Sequence, residues 1–255
     1  MSSPVFDLPG HSDILDAAQR LTGHAVRTPL LRNDWLDDRL GARLFVKAEC
    51  LQRTGSFKFR GAYNRISRLS DAEKQRGVIA YSSGNHAQGV AAAARLVGTH
   101  ATILMPTDAP AAKVEGVRFW GGKVVTYDRA SESREAAEPE GFDDHKRSLA
   151  AGHRVANDRL TGSICDAIIT PTPGELTWQL NSHQLSGGVA VSDDEVLQAM
   201  ALAWRHLKIV IEPGAVVALA AVLSGKLDIA GKTVCVLATG GNVDRAMFAR
   251  ALELG

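Results

Sequence analysis

The apolar residues of the chain follow two different spacings. Short continuous or alternating apolar runs predict β-strands, and these runs cover residues 43–48, 77–81, 101–105, 123–127 and 233–237. Between the runs, apolar residues recur at every third or fourth position, which predicts helices. Strands that alternate with helices indicate parallel, doubly wound sheets, so we predict an α/β fold.

Signals at the starts of helices support this division. Ser12 is placed to cap a helix, and residues 70–73 have the Ser-x-x-Glu pattern of a capping box. Residues 192–195 are predicted to open another helix. An alanine-rich helix is predicted over residues 90–97, and another helix over residues 110–120.

A polar loop follows the predicted strand 77–81. It has the sequence Ser82-Ser83-Gly84-Asn85-His86-Ala87-Gln88-Gly89 and leads into the alanine-rich helix. Ligands of doubly wound sheets bind at the carboxyl ends of the strands, and the free N–H groups at the start of a helix attract anions. The loop therefore predicts an anion site. Ordinary N-capping by one of the serines is the alternative interpretation.

Composition narrows the class of protein. The 255 residues are 45% hydrophobic, enough for one large or two modest domains. A net charge of +1 without a basic face argues against nucleic acid as a partner. The longest apolar runs are too short to cross a membrane, and the first residues lack the pattern of a signal peptide. Three scattered cysteines (Cys50, Cys165 and Cys235) argue against a disulfide framework and favour the cytoplasm.

Lys58 is the candidate for covalent chemistry. It lies between Phe57 and Phe59, and aromatic walls on both sides would desolvate the ammonium and favour the neutral amine. A desolvated lysine readily forms a Schiff base with a carbonyl compound, and Gly55 and Gly61 would let the backbone approach a flat ligand. We therefore predict an aldehyde cofactor on Lys58. A solvated surface charge is the alternative.

Four motifs, in this order, resemble those of the fold-type II pyridoxal-phosphate enzymes, in the branch with serine and threonine dehydratases and serine racemase. They are Gly55-Ser56-Phe57-Lys58-Phe59-Arg60-Gly61-Ala62, the loop 82–89, Glu212-Pro213-Gly214 with residues 217–221, and Thr239-Gly240-Gly241-Asn242-Val243-Asp244. The resemblance covers nearly all of residues 14–250. It implies a tryptophan-synthase-β-like fold, pyridoxal 5'-phosphate as the cofactor, a small amino-acid substrate and a homodimer. It also implies two doubly wound domains, a small one over residues 77–137 and a large one over residues 1–76 and 138–255.

The same resemblance implies the roles of individual side chains. Lys58 would hold the cofactor and act as the base on one face, and Ser83 would carry the proton on the other. Phe57 would pack beside the ring, Asn85 would meet the ring hydroxyl and Thr239 would bond the pyridine nitrogen. The substrate carboxylate would be received by Ser82, Ser83, His86 and Arg134.

An acidic stretch, residues 138–144, matches a divalent-cation loop of the same family. Glu138 and Asp144 would bind the ion by their side chains and Phe142 by its carbonyl. Oxygen ligands suit Mg²⁺ or Ca²⁺. A solvated acidic turn is the alternative.

Thr239 bears on the type of reaction. A hydroxyl beside the pyridine nitrogen cannot hold it protonated as a carboxylate could, so the ring is a weaker electron sink and loss of a β-hydroxyl is favoured. We expect dehydration of L-serine or L-threonine to a 2-oxo acid and ammonia. Racemisation would use the same Lys58 and Ser83 and stays open, as do 3-hydroxyaspartate as the substrate and a non-catalytic relic. The histidines include no H-x-x-x-H pair, which argues against a zinc enzyme.

The family holds the cofactor phosphate in a glycine-rich loop, and the sequence contains no such run. Gly187-Gly188 follows no predicted strand, and no P-loop is present. The break falls between Ala137 and Glu138, where the start of a helix meets the cation loop. A lost phosphate loop forfeits several charge-assisted hydrogen bonds of about 1.5–3 kcal/mol each. We therefore expect the complete polypeptide to carry a further segment at this junction. A spacing of about 3.8 Å between the two Cα atoms, inside one unbroken helix or turn, would refute this expectation.

Overall fold

The computed structural model describes residues 9–82, 84–127, 141–159, 161–185 and 187–254. The strands are Leu30–Leu31 (β1), Arg43–Lys47 (β2), Val78–Tyr81 (β3), Ala101–Pro106 (β4), Lys123–Tyr127 (β5) and Thr233–Leu237 (β6). The α-helices are His11–Leu21 (α1), Asp34–Leu40 (α2), Lys58–Ile66 (α3), Asp71–Arg76 (α4), Asn85–Val97 (α5), Ala111–Phe119 (α6), Asp144–Ala151 (α7), Glu175–Gln184 (α8), Asp193–Leu202 (α9), Pro213–Leu223 (α10) and Arg245–Glu253 (α11). A π-helical turn, Ala203–Leu207, extends α9.

The strands of the described ranges form two separate sheets. In the first sheet, β2 lies between β1, which is antiparallel to it, and β6, which is parallel to it with Phe45 opposite Cys235. In the second sheet, β3, β4 and β5 are parallel neighbours, with Ile103 opposite Val124. Parallel neighbours need crossover connections, and helices supply them here. The parallel α/β architecture predicted from the sequence is confirmed, whereas the domain limits stay a prediction.

Each sheet packs against its own helices, which gives two hydrophobic cores. The first core contains Val46 of β2, Val216 of α10 and Val236 of β6. The second contains Phe59 of α3 and the buried residues 87–94 of α5. Small side chains dominate that run, so α5 can lie close to both α3 and the second sheet.

The predicted helix starts are correct at two places and wrong at two others. The capping box at residues 70–73 and the helix start at residues 192–195 are confirmed, and the latter also forms a capping box. Ser12 lies inside α1, whose N-cap is Gly10, so it does not cap that helix. The alanine-rich helix begins at Asn85 rather than at residue 90, so the second half of the predicted polar loop forms the first turn of α5.

In each sheet, one of the two edge strands carries an apolar side chain that is exposed to solvent. On β6, Leu237 is 52% exposed, and on β3, Ile79 is 79% exposed. Parallel sheets in α/β proteins are normally covered on both faces, so apolar strand positions open to water are what the loss of neighbouring elements would leave. Residues 137 and 138 lie outside the described ranges, and the spacing of their Cα atoms therefore does not test the predicted further segment.

None of the helices in the described ranges combines the length and the apolar character that crossing a bilayer requires. Cys50, Cys165 and Cys235 are free thiols, and the first two of them are buried.

Candidate active site

Lys58 lies where the carboxyl ends of two parallel strands meet. After β2 the chain reaches Ser56, which forms an isolated antiparallel bridge with Gly240 just beyond β6. The next amide, that of Phe57, donates to the carbonyl of Thr239 at 3.0 Å, and Lys58 then begins α3. Lys58 and Thr239 therefore lie at one edge of the sheet, the edge at which doubly wound folds bind ligands.

The ammonium of Lys58 lies 4.8 Å from the centroid of the Phe57 ring. Lys58 is exposed to solvent, yet the surrounding protein desolvates the ammonium in part and lowers the pKa of Lys58. The negative charge of Glu212 opposes this shift without cancelling it. A lowered pKa increases the fraction of neutral, nucleophilic amine.

The prediction of aromatic walls on both sides of Lys58 is wrong for one side. Phe59 is fully buried in the second core, where its ring centroid lies 5.7 Å from that of Tyr63. Successive residues of an α-helix point about 100° apart. Because α3 begins at Lys58, the side chain that follows, Phe59, points away from that of Lys58 and into the core.

The polar loop after β3 lies beside Lys58. α5 approaches α3 so closely that a Cβ atom added at Gly89 would lie 3.1 Å from the backbone carbonyl carbon of Lys58, and glycine avoids this clash. Desolvation and, to a smaller extent, the charge of Lys58 lower the pKa of His86 in the first turn of α5. In the same loop, Ser82 accepts a hydrogen bond from the amide N–H of Gly84 at 3.2 Å. The structure thus brings the predicted anion loop to the predicted nucleophile.

Three predicted site residues, Ser83, Arg134 and Glu138, lie outside the described ranges. Their roles in proton transfer, carboxylate binding and cation binding stay predictions.

The predicted cation ligands Phe142 and Asp144 make protein contacts. The buried carboxylate of Asp144 accepts hydrogen bonds from the amide nitrogen of Asn157 at 2.6 Å and from the hydroxyl of Thr170 at 3.3 Å. Phe142 is fully buried, and the guanidinium of Arg159 lies 5.1 Å from its ring centroid. Within the described ranges, no three His, Cys, Asp or Glu side chains are grouped so that they could hold a metal ion.

Asn85 belongs to a set of polar contacts that the sequence analysis did not predict. Its amide nitrogen donates to Glu212, and its amide oxygen accepts from the amide nitrogen of Asn242 at 2.7 Å. Glu212 is only 3% exposed, and the ammonium of buried Lys113 lies 3.4 Å from its other carboxylate oxygen.

Lys113 carries no sequence signal, because its neighbours are those of an ordinary exposed lysine. Glu212 has a weak sequence signal, because it directly precedes Pro213, which opens α10.

The described residues fit the ring end of pyridoxal phosphate. The amide of Phe57 donates to the carbonyl of Thr239, and Lys58 is the next residue of the chain. A Cβ atom added at Gly240 would lie 2.7 Å from the amide nitrogen of Asn85, so this glycine keeps the strand end and the first turn of α5 in close contact. The hydroxyl of Ser56 is buried and has no hydrogen-bond partner in the part of the chain that the structure describes. A flat ring with polar substituents at its edge suits such a place.

The phosphate end of the cofactor finds no comparable cradle among the described residues. Gly187 and Gly188 lie in irregular chain between α8 and α9 and follow no strand, and Gly188 packs against Lys146. They are therefore not a phosphate loop placed between a strand and a helix.

A buried ion pair fixes the start of α3. The carboxylate of Glu49 is 4% exposed and receives two hydrogen bonds of 2.7 Å from Arg60, one from each of two guanidinium nitrogens, and a third from Thr28 at 2.5 Å. Burial alone would raise the pKa of Glu49, but these hydrogen bonds and the charges of Arg60 and Lys47 outweigh it, and the pKa is lowered. Arg60 lies two residues after Lys58, so the pair anchors the helix that presents the lysine.

Replacing Arg60 by alanine is expected to lower the free energy of unfolding by about 3 kcal/mol at neutral pH, because it leaves the buried Glu49 charge without its main partner. The Arg60→Lys variant keeps the positive charge but loses the bidentate hydrogen bonds to Glu49, so we expect a smaller loss of unfolding free energy than in Arg60→Ala. Urea unfolding measures both. Because the pKa of Glu49 is lowered on folding, its contribution exists at neutral pH and is lost as the pH falls through the folded-state value. The difference between wild type and Arg60→Ala should therefore shrink in acid, and a difference independent of pH would contradict the assignment.

Comparison with known proteins identifies the family. The model of the pyridoxal-phosphate dependent enzyme family matches residues 21–138 and 135–240, and the chain therefore belongs to the pyridoxal-phosphate-dependent enzymes. Within them it is a fold-type II member, related to the branch of ammonia-lyases, dehydratases and serine racemases. The family and the fold class predicted from the motifs are confirmed.

Three relatives show the extent of the likeness. The chain is 35% identical to an L-threo-3-hydroxyaspartate ammonia-lyase of a Pseudomonas species, over 96% of this chain and 99% of the relative. It is 31% identical to the catabolic L-threonine dehydratase TdcB of Escherichia coli K12, over 94% of this chain and 95% of the relative. Its structure matches that of maize serine racemase with a TM-score of 0.85 and 28% identity, over 94% of this chain and 95% of the other.

The chain is shorter than these relatives in its interior. The alignment to the Pseudomonas enzyme extends over 317 positions, whereas the chain has 255 residues. Internal residues of the relative therefore have no counterpart here. The two matches to the family model meet at residues 135–138, where the sequence analysis places the break.

Proposed function

We propose that the chain carries the active site of an ammonia-lyase that converts a β-hydroxy amino acid into a 2-oxo acid and ammonia. The observation that carries this proposal is the place of Lys58. Its desolvated amine lies over Phe57, beside the loop of Ser82 and His86 and at the same strand edge as Thr239. When bound, pyridoxal phosphate supplies the electron sink that makes the α-proton acidic.

Each residue then has a defined task. Lys58 would hold the cofactor through its aldehyde, and the amine of Lys58 would take the α-proton of the substrate. Ser82, Ser83, His86 and Arg134 receive the substrate carboxylate, and the cofactor ring is held by Phe57 beside its face, Asn85 at its hydroxyl and Thr239 at its nitrogen.

Thr239 favours elimination over other reactions at the same carbon. A threonine hydroxyl is neutral and leaves the pyridine nitrogen unprotonated, so negative charge at the α-carbon is only weakly delocalised. Departure of a β-hydroxyl removes that charge directly. A substrate with a leaving group at the β-carbon therefore suits this site better than one without it.

Identity to the relatives favours 3-hydroxyaspartate as the first substrate to test. The hydroxyaspartate ammonia-lyase is 35% identical to the chain and the threonine dehydratase is 31% identical. L-Serine and L-threonine are the next candidates, since they carry the same β-hydroxyl.

Racemisation is the second candidate function, favoured by the structural match to maize serine racemase. It needs a proton carrier on each face of the substrate, and Lys58 and Ser83 are the proposed pair. A non-catalytic relic is a third candidate, favoured by the absence of a glycine-rich run from the sequence.

Product analysis with excess cofactor separates these functions. We expect a 2-oxo acid and ammonia in equal amounts from L-threo-3-hydroxyaspartate, L-threonine or L-serine, with the first reacting fastest. L-Aspartate is the matched control, because it lacks the β-hydroxyl and should release no ammonia. Conversion of L-serine into D-serine without ammonia would replace the lyase by a racemase. A protein that stays colourless with added cofactor would support the relic.

A divalent cation, a homodimer and a cytoplasmic location complete the proposal. The cation, Mg²⁺ or Ca²⁺, would be held by Glu138, the carbonyl of Phe142 and Asp144. Asp144 supports this because its described partners are a neutral amide and a neutral hydroxyl, and a cation would supply the missing positive charge. A chelator should then lower the melting temperature of the protein, and an unchanged value would remove the cation from the proposal.

A further inference from the structure

We propose that Glu212 is a positioning residue that fixes which end of the Asn85 amide faces the cofactor, and that it thereby favours the ionised form of the cofactor ring hydroxyl. This inference rests on the proposed function, because it takes Asn85 to be the partner of that hydroxyl.

The direction of the hydrogen bonds determines the orientation of Asn85. A carboxylate only accepts hydrogen bonds, so the Asn85 atom that faces Glu212 is the amide nitrogen. The amide oxygen of Asn85 then accepts from the amide nitrogen of Asn242 at 2.7 Å, and that nitrogen also donates to the carbonyl of Thr54 at 2.9 Å. The carbonyl of Thr54 can also only accept. With an acceptor at each end, Glu212 and Thr54, the amides of Asn85 and Asn242 between them have a single possible orientation.

The fold makes room for this contact and supplies its charge. A Cβ atom at residue 240 would lie 2.7 Å from the amide nitrogen of Asn85 and closer still to the carboxylate of Glu212, so only glycine lets the two groups meet. The backbone N–H of Glu212 donates to the carbonyl of Gly240 at 3.0 Å and holds the carboxylate beside that glycine. Lys113, 3.4 Å from the other carboxylate oxygen, is the positive partner.

A fixed amide has a chemical consequence at the cofactor. One N–H of Asn85 is used by Glu212, and the other has no acceptor within the part of the chain that the structure describes. An N–H directed at the ring oxygen stabilises the oxyanion. The opposite orientation would direct the amide oxygen at the ring and favour the protonated hydroxyl. Glu212 acts through Asn85 and does not itself touch the cofactor.

The Glu212→Gln variant tests this role with little change in shape. A carboxylate offers one oxygen to Lys113 and one to Asn85, whereas glutamine has a single oxygen. We expect Lys113, as the charged group, to take that oxygen. The NH₂ group of the new glutamine then faces the amide nitrogen of Asn85, which loses its acceptor. This favours the reversed orientation of the Asn85 amide, against the hydrogen bond that Asn242 donates to its oxygen. Replacing Lys113 by methionine in the same protein removes the competitor and should let the glutamine oxygen accept from Asn85 again.

The readout is the absorbance of the bound cofactor as the pH is varied, at saturating cofactor. We expect the transition between the ionised and the protonated ring hydroxyl to move to higher pH in Glu212→Gln, by about one pH unit, which is a tenfold change in the equilibrium. The Glu212→Gln/Lys113→Met double variant should return most of the way to wild type. A merely structural role would lower the melting temperature of Glu212→Gln and leave its transition at the wild-type pH, and this result would overturn the inference.

The outcomes also distinguish this inference from the proposed function. If the wild-type protein binds cofactor at Lys58 and only the spectral shift is missing, the role of Glu212 is refuted and the lyase proposal stands. If the wild-type protein forms no coloured complex at any cofactor concentration, both are refuted together.

Discussion

Replacing Lys58 by alanine is expected to lower the rate of ammonia release by at least about three orders of magnitude, the upper range for losing a positioned acid–base group. The variant loses both the anchor for the cofactor and the base, because one amine serves both purposes in turn. The pKa of Lys58 is lowered by desolvation, so the wild-type protein should bind cofactor covalently at a pH below the ordinary range for lysine.

Lys74→Ala is the matched control for this variant. Lys74 lies in α4 and pairs with Asp71 at 3.1 Å, apart from the residues assigned to the site, and its loss should leave the rate unchanged. Circular dichroism should show that both variants are folded. A Lys58→Ala protein that keeps more than a tenth of the wild-type rate would contradict the role of Lys58.

The 255-residue chain is expected to bind pyridoxal and pyridoxal phosphate with dissociation constants within about tenfold of each other. A tenfold ratio corresponds to a difference of about 1.4 kcal/mol in binding free energy. The two compounds differ only by the phosphate, and the described residues offer it no glycine-rich loop. In a complete fold-type II site, three or more charge-assisted hydrogen bonds of about 1.5–3 kcal/mol each would favour the phosphorylated compound by a thousandfold or more.

A chimaera provides the comparison for this second prediction. Inserting the internal stretch of the Pseudomonas relative between Ala137 and Glu138 should tighten pyridoxal phosphate by about a thousandfold or more and pyridoxal far less. A glycine–serine insert of equal length is the control and should change neither constant. A strong preference of the unmodified chain for the phosphorylated compound would show that other residues bind the phosphate. Intact mass of the natural protein would separately show whether the polypeptide exceeds 255 residues.

The part of the site that sequence predicts correctly is the part that local pattern determines. The Lys58 motif and Thr239 each follow a strand recognisable from its apolar run, and parallel strands place their carboxyl ends at one edge of the sheet. The loop with Ser82 and His86 follows β3, which belongs to the other sheet. Its position beside Lys58 depends on the close packing of α5 against α3.

The errors and omissions concern directions and long-range contacts. Phe59 adjoins Lys58 in sequence, but the helical turn sends it into the core. The sequence predicts the start of α5 too late, because the first residues of this helix, from Asn85 onward, are mostly polar. Glu212 and Lys113 are distant in sequence and pair only in the folded chain. The sequence does not distinguish a buried glutamate or lysine from an exposed one, so the roles of Glu212 and Lys113 follow only from the fold.

Reduction with borohydride, followed by peptide mapping, tests most directly whether Lys58 is the amine that binds the cofactor. The protein is incubated with pyridoxal phosphate at saturating concentration, reduced and digested, and the labelled peptide is identified by mass. Most of the label is predicted on Lys58, with none on that peptide in the Lys58→Ala variant. A label spread over surface lysines in both proteins, or the absence of any label in the wild type, would contradict the account.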